Sequence, residues 1–123
     1  VDKFRLQHKI TLLENDLLTG LALKADLVTA NLPYIPSDRL PSLAVSKFEP
    51  ILALDGGKQG FDILGRFLAQ IPSHLNPGGL ALLEIDDSQS RLAVNEATKF
   101  LPSAKITLLD DLAKFHRVLR IKI

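Results

Sequence analysis

The sequence predicts an α/β protein with a mostly parallel sheet and one antiparallel pair of strands at the sheet edge. Short apolar runs alternate with segments of helical periodicity, a pattern typical of parallel sheets. The last two predicted strands are joined by a short turn with no helix, which favours antiparallel pairing. The 123 residues are 46% hydrophobic and 24% charged, which suits one packed domain.

Two strands and a long loop are predicted in the N-terminal half. Residues 3–8 are polar and mixed and suit the end of a helix. The apolar run Ile10 to Leu13 predicts a buried strand followed by a polar turn. Asp26 to Ala30 predicts a second buried strand. Prolines and glycines are dense over residues 32–57, which predicts a long ordered loop, and such loops are often functional.

A helix, a turn and a strand are predicted next. Apolar residues at helical spacing predict an amphipathic helix over residues 59–71, stopped by Pro72. Asn76 to Gly79 predicts a tight turn. The continuous apolar run from Leu80 to Ile85 predicts a strand covered on both faces.

The C-terminal third predicts one more helix and the closing pair of strands. Ser88 is the predicted N-cap of the helix. Strands are predicted at Lys105 to Leu109 and over the alternating segment at the C-terminal end. The inner face of the helix is predicted to carry Leu92, Ala93, Ala97, Phe100 and Leu101.

Composition excludes several classes of function. The net charge is +1 with no basic stripe, which argues against strong nonspecific nucleic-acid binding. There is no cysteine, and the three histidines are scattered on what we expect to be the surface, so no metal site is expected. No apolar run is long enough to span a membrane and no leader is visible, so we expect a cytoplasmic protein. The chain opens on Val1 and contains no methionine, so we expect a fragment.

The strongest local signal is the tetrapeptide Asn31-Leu32-Pro33-Tyr34, directly after the second predicted strand. Ligands of open α/β sheets bind beyond the carboxyl ends of strands. The tetrapeptide resembles the Asn-Pro-Pro-Tyr motif of methyltransferases that modify planar amino groups. The nitrogen of such a group is a poor nucleophile because its lone pair is delocalised. Asn31 and the Leu32 carbonyl can accept its two N–H groups, while Tyr34 lies flat against the plane. The alternative interpretation is a plain strand-ending turn.

Further segments, in the same order and spacing, resemble the HemK-type protein-glutamine N-methyltransferases, which are class I S-adenosylmethionine-dependent enzymes. The resemblance covers nearly the whole chain from Lys9 to Ile123. Its segments are Phe48-Glu49-Pro50, Ala53-Leu54, Gly56-Gly57, Gly60-Phe61, Leu75 to Gly79, Leu83-Glu84-Ile85 with Gln89, and Arg117-Val118 preceded by Lys114 where the family has glycine.

The resemblance implies the C-terminal part of a Rossmann-like fold with strand order 3-2-1-4-5-7-6, of which this chain holds strands three to seven. Residues 1–123 would be one partial catalytic domain without its N-terminal cofactor-binding part. Asn31 to Tyr34 would be catalytic and would bind the substrate together with Glu49 and Pro50, Glu49 bracing the acceptor loop. Asp16 and Leu17 would lie beside the adenine of S-adenosylmethionine, with Asn31 as a further cofactor contact. A plain polar turn at Asp16 and a solvated carboxylate at Glu49 are the alternatives.

The implied activity is methyl transfer to a glutamine side-chain amide, with a peptide chain release factor as the protein partner. Two alternatives stay open: an adenine-amino methyltransferase of DNA or RNA, and a non-catalytic truncated domain. Residues 1–25 lack the Gly-rich turn of the cofactor site, so we expect this chain alone to be inactive and to bind S-adenosylmethionine weakly or not at all. Leu32 replaces the first proline of the motif, Gln59 an aspartate and Asp86 a glycine, which weakens the case for catalysis.

Without strands one and two, the strand Asp26 to Ala30 would expose an unpaired edge and uncovered side chains. We expect Ile10 to Leu13 to pair with it directly. The alternative is a symmetric dimer in which two chains pair edge to edge or exchange their first strands. We also expect a homodimer formed through the remaining apolar surface.

Overall fold

The computed structural model describes residues 1–123 and shows a four-stranded sheet with two helices packed on one face. The strands are β1 (Ala25–Ala30), β2 (Leu75–Glu84), β3 (Lys105–Asp110) and β4 (His116–Lys122), and the helices are α1 (Asp62–His74) and α2 (Ser90–Phe100). Alternate residues of β2 and β4 point at the helices and are fully buried, namely Ala81, Leu83, Leu119 and Ile121. The core therefore lies between the helices and one face of the sheet. No helix is long and apolar enough to cross a membrane.

The strand order is β1-β2-β4-β3. β1 and β2 run parallel, whereas β4 is antiparallel to both of its neighbours. The predicted antiparallel pair at the edge is confirmed, and the order agrees with positions 4-5-7-6 of the order that the resemblance implies. The sheet is nevertheless mixed and not mostly parallel in its pairings, because β4 inserts between β2 and β3. Lys114 in the turn before β4 has a φ of 70°, the left-handed conformation that glycine adopts most easily.

The predicted strand Ile10 to Leu13 is wrong. These residues have no regular secondary structure, and Leu12 and Leu13 are 77% and 61% exposed. The expected pairing with β1 is also wrong, since β1 has β2 as its sole neighbour. A short apolar run becomes a strand only where a ladder and a packing surface are available, and neither is supplied here. The segment before it, predicted as a helix end, forms a short 3-10 helix at Asp2–Phe4.

Side chains of β1 were predicted to be uncovered, and the structure confirms this for Leu27 only. Val28 and Ala30 pack against the core, while Leu27, on the other face of the sheet, is 54% exposed. The strand thus has one packed face and one open face.

Helix α1 continues through Pro72 and ends at His74, so the predicted stop is wrong. Proline removes one hydrogen bond and disfavours helix in the preceding residue. Here Ile71 and His74 on either side are buried, and their packing keeps the last turn helical. His74, expected on the surface, is 9% exposed, and its ring nitrogens lie 2.8 Å from the Gln70 carbonyl and 3.1 Å from the Leu21 carbonyl.

The predicted turn Asn76 to Gly79 lies inside the first half of β2. Ala25 pairs with Leu75 and Leu27 with Leu80, so residues 76–79 bulge out of the ladder between two pairing positions. Gly78 has a φ of 76°, which explains the glycine in this bulge.

The start of α2 is capped differently from the prediction. The Asp86 side chain accepts from the Ser88 backbone N–H, and Gln89 returns a contact to the Asp86 N–H in a capping box. This box opens a 3-10 turn that leads into α2. On the inner face, Ala93, Ala97 and Leu101 are buried as predicted, whereas Leu92 and Phe100 are 37% and 40% exposed.

The long loop between β1 and α1 is ordered, as predicted. It contains three short 3-10 helices, Leu40–Ser42, Ala44–Lys47 and Ile51–Ala53. An isolated parallel bridge joins Ile35 to Asp55 and draws the two ends of the loop together.

Candidate active site

The tetrapeptide Asn31 to Tyr34 begins one residue after β1 ends and forms part of a cavity of about 330 Å³. The remaining wall comes from the long loop. A volume of this size lies at the lower end of the range for small-molecule sites and is large enough for one amide side chain. The lining residues are Asn31, Leu32, Pro33, Tyr34, Ile35, Val45, Glu49, Ala53 and Leu54.

Backbone hydrogen bonds fix the two walls of the cavity relative to each other. The Ile35 N–H donates to the Leu54 carbonyl at 3.0 Å, and the Gly56 N–H donates to the Ile35 carbonyl at 2.9 Å. The Asp55 carboxylate accepts from the Ser37 hydroxyl at 2.7 Å and from the Gly57 N–H at 2.9 Å, and these bonds lower its pKa. These bonds hold the two ends of the loop together beside the cavity.

Two hydrogen-bond acceptors at this cavity are free. The Leu32 carbonyl accepts no backbone hydrogen bond, although it follows a strand in which such bonds are regular. Asn31 lines the cavity and is exposed, and its side chain forms no hydrogen bond within the chain. A group with two N–H donors in one plane is the natural complement of two carbonyl oxygens on adjacent residues.

Tyr34 is held at both ends. Its hydroxyl donates to Glu84 Oε1 at 3.1 Å, and its backbone carbonyl accepts from Gln89 Nε2 at 3.1 Å. Partial burial raises the pKa of the Tyr34 hydroxyl, and the neighbouring Glu84 carboxylate raises it further. The ring is therefore neutral at physiological pH.

Gly60 lies against this turn. Its φ is 70°, and a Cβ placed on it would lie 2.2 Å from the Tyr34 carbonyl oxygen. The same Gln89 amide donates to the Gly60 carbonyl at 2.7 Å. Glycine is therefore the residue that this close approach of two backbones permits.

The other predicted site residues are placed differently. Glu49 lines the cavity, but its carboxylate forms no hydrogen bond with residues Asn31 to Tyr34, here named the acceptor turn, so the expected bracing is absent. Pro50 is exposed, does not line the cavity, and caps the 3-10 helix Ile51–Ala53. Asp16 pairs with Arg66 on α1. Leu17 has a φ of 55° and packs partly against the core, and neither Asp16 nor Leu17 lines the cavity.

The three predicted cofactor contacts, Asp16, Leu17 and Asn31, do not lie together around the cavity. Asp16 is engaged by Arg66, and no strand lies on the open side of β1. Asn31 is the single predicted cofactor contact that lines the cavity.

No protein-family model matches the chain, but several known proteins are similar to it in sequence. The release factor glutamine methyltransferase of Moorella thermoacetica is 44% identical over 91 residues, or 72% of this chain and 32% of that protein. The release factor glutamine methyltransferase of Rhodopirellula baltica is 33% identical over 124 residues, or 97% of this chain and 42% of that protein. The ribosomal protein uL3 glutamine methyltransferase of Xanthomonas campestris pv. campestris is 36% identical over 94 residues, or 74% of this chain and 30% of that protein.

The chain thus spans between 30% and 42% of the length of these relatives, while the matches include most of the chain itself. Its motifs, their order and these identities agree, and the chain belongs to the HemK-type protein-glutamine methyltransferase family.

Proposed function

We propose that a protein carrying this chain methylates the side-chain amide nitrogen of a protein glutamine, with S-adenosylmethionine as methyl donor. The observation that carries the proposal is the pair of free acceptors, the Asn31 side chain and the Leu32 carbonyl, beside a preformed cavity. A further part of the protein would supply the donor site, and this chain alone would be inactive.

The chemistry explains why free acceptors matter. The lone pair of an amide nitrogen is delocalised into the carbonyl, so the nitrogen attacks a methyl carbon poorly. Two fixed acceptors orient both N–H groups and hold the nitrogen in one attack geometry. S-adenosylmethionine would supply the methyl group, and its sulfur would leave as a neutral thioether with the electron pair of the broken carbon–sulfur bond. The nitrogen becomes positive as its bond to the methyl carbon forms, and the same two carbonyl dipoles would then stabilise it more strongly than in the ground state. The extra proton leaves to solvent afterwards, and no strong general base is required.

The first proposed substrate is a peptide chain release factor, because the Moorella and Rhodopirellula relatives carry that substrate in their names. Ribosomal protein uL3 is the second candidate, favoured by the name of the Xanthomonas relative. Both are proteins that present a glutamine, so the cavity chemistry is the same for the two.

The experiment is a chimaera in which this chain replaces the matching part of the Moorella relative. Labelled methyl transfer is measured side by side on release factor, uL3 and DNA. We expect label on glutamine in a protein. Label that enters DNA alone would contradict the proposal and favour adenine methylation.

A variant tests the free acceptors directly. Asn31→Ala removes one of the two, and removal of one preorganised hydrogen-bonding group lowers turnover about 100-fold or more in comparable sites. Asn95→Ala, at an exposed position on α2, is the matched control and should leave turnover unchanged. Normal turnover in Asn31→Ala would refute the orientation mechanism.

A further inference from the structure

Tyr34 contacts two side chains that lie outside the wall of the acceptor cavity, the cavity that the acceptor turn lines. Glu84, at the end of β2, contacts the ring hydroxyl, and Gln89, in the turn that leads to α2, contacts the backbone. Neither belongs to the residues that line the cavity of about 330 Å³.

The Gln89 amide is fully used. It is 6% exposed, and Nε2 donates to the carbonyls of Tyr34 and Gly60 while Oε1 accepts from the Asp86 N–H at 3.2 Å. One buried side chain therefore ties three separate segments: the acceptor turn, the start of α1 and the capping box. Buried carbonyls left without this donor would be unsatisfied, so the arrangement resists displacement.

Tyr34 is a lining residue of two cavities. One is the acceptor cavity, and the other is a smaller one of about 170 Å³ lined in part by Arg39, Asp86 and Gln89. The position of Tyr34 therefore affects the shape of both cavities.

We propose that Gln89 and Glu84 are positioning residues that act as a two-point clamp on Tyr34, one on its backbone and one on its hydroxyl. The clamp keeps the ring face against the acceptor cavity. Its consequence for methyl transfer rests on the proposed function, but the clamp itself is a property of the chain.

The chain offers a direct probe, because Tyr34 is its only tyrosine and there is no tryptophan. Ionisation of the phenol, followed by absorbance, and the tyrosine band in near-ultraviolet circular dichroism both report on this one ring. The charged groups that influence it are Glu84 on β2, Asp86 in the following turn and Arg117 on β4. Glu84 and Asp86 raise the Tyr34 pKa, and Arg117 lowers it.

The decisive variant is Gln89→Leu, which removes the amide and keeps an apolar side chain of similar size. Gln89 carries no charge and does not touch the hydroxyl, yet we expect the Tyr34 pKa to fall toward its ordinary value as the freed ring leaves Glu84. We expect the near-ultraviolet tyrosine band to lose about half its intensity, since a freed ring samples several rotamers. Gln89→Asn keeps the amide but shortens the side chain, so the amide no longer reaches the Tyr34 carbonyl. It should lower the Tyr34 pKa and weaken the band in the same way, and it replaces the leucine variant if that variant does not fold.

The matched control is Gln70→Leu. Gln70, on α1, also bridges two groups of a distant segment, accepting from the Leu18 N–H at 2.9 Å and donating to Thr19 Oγ1 at 3.0 Å. This variant should lower the melting temperature without moving the Tyr34 titration. Glu84→Gln should lower the Tyr34 pKa while keeping the band, because it removes the charge but can still accept the hydroxyl.

A folded Gln89→Leu protein with unchanged titration and an unchanged band would overturn the clamp. These measurements need no methyl transfer, so they hold or fail independently of the proposed function. In the active chimaera, the same variant should lower kcat about tenfold or more with an unchanged KM for the methyl donor, because a displaced Tyr34 would no longer hold the acceptor group in its attack geometry.

Discussion

Replacing Gly60 by alanine should displace the acceptor turn. The Cβ would lie 2.2 Å from the Tyr34 carbonyl oxygen and 2.9 Å from Gln89 Nε2. The first contact is with backbone, which cannot swing away as the end of a flexible side chain can. Relief requires the turn, the Gly60 segment or both to move, and the Gln89 hydrogen bonds to both carbonyls would be stretched or lost.

The expected loss of unfolding free energy has two parts, backbone strain at residue 60 and the loss of hydrogen bonds from Gln89. A φ of 70° costs an L-residue about 1–2 kcal/mol. Loss of two hydrogen bonds from Gln89 adds about 2 kcal/mol. Gly20 has nearly the same φ, 73°, but nothing lies within 4 Å of its added Cβ. Gly20→Ala therefore carries the strain alone, and the gain from a stiffer unfolded chain is common to both variants.

Urea unfolding of the two variants gives the comparison. Gly60→Ala should lower the free energy of unfolding by about 2 kcal/mol more than Gly20→Ala does, which corresponds to a difference of about 8 °C in melting temperature. Gly60→Ala should also weaken the near-ultraviolet band of Tyr34, and Gly20→Ala should not. Equal losses of stability in both variants would refute the close approach of Gly60 and the acceptor turn.

Three further outcomes are expected. In the active chimaera, Leu32→Pro should preserve or raise turnover, because only the Leu32 carbonyl is needed and a proline stiffens Asn31; a loss comparable to that of Asn31→Ala would contradict this. This chain alone should bind S-adenosylmethionine weakly or not at all in calorimetric titration, and micromolar affinity would show that an unrecognised segment rebuilds the site. The Ser88 hydroxyl lowers the Asp86 pKa below 3.8, so the cap stabilises the fold above that pH and loses its effect as pH falls through the lowered value. Asp86→Asn should therefore cost about 1 kcal/mol or less at neutral pH, and the cost should shrink in acid; a cost that does not depend on pH would rule out the charge of Asp86 as its source.

The position of the acceptor turn could be predicted from sequence because two local rules agree there. An apolar strand pattern stops at Asn31, and Pro33 prevents its continuation. In a sheet with parallel strands, that place is at a carboxyl edge where cavities form. Periodicity and turn chemistry are properties of neighbouring residues, so they can be recognised in the sequence without any knowledge of tertiary contacts.

The partners of the turn could not be predicted in the same way. Gln89 reaches Tyr34 across 55 positions of sequence, and nothing in its neighbourhood indicates a buried amide. Gln89 belongs to one of the segments that carry the family resemblance, but the resemblance does not indicate which residues its side chain contacts. The capping residue was missed for a related reason: Asp86 and Ser88 are both good caps, and only the direction of the chain after β2 decides between them.

Because Ile10 to Leu13 forms no strand, β1 has no partner on one side. β1 is an edge strand, its open edge carries unpaired backbone groups, and Leu27 is exposed on its uncovered face. Asn31 lies at the end of this same strand and is the one predicted cofactor contact at the cavity. Whatever pairs with β1, a further segment or a second copy in the expected homodimer, must therefore also stand beside Asn31. Under the proposed function, completing the sheet beside β1 would therefore also complete the donor side of the site.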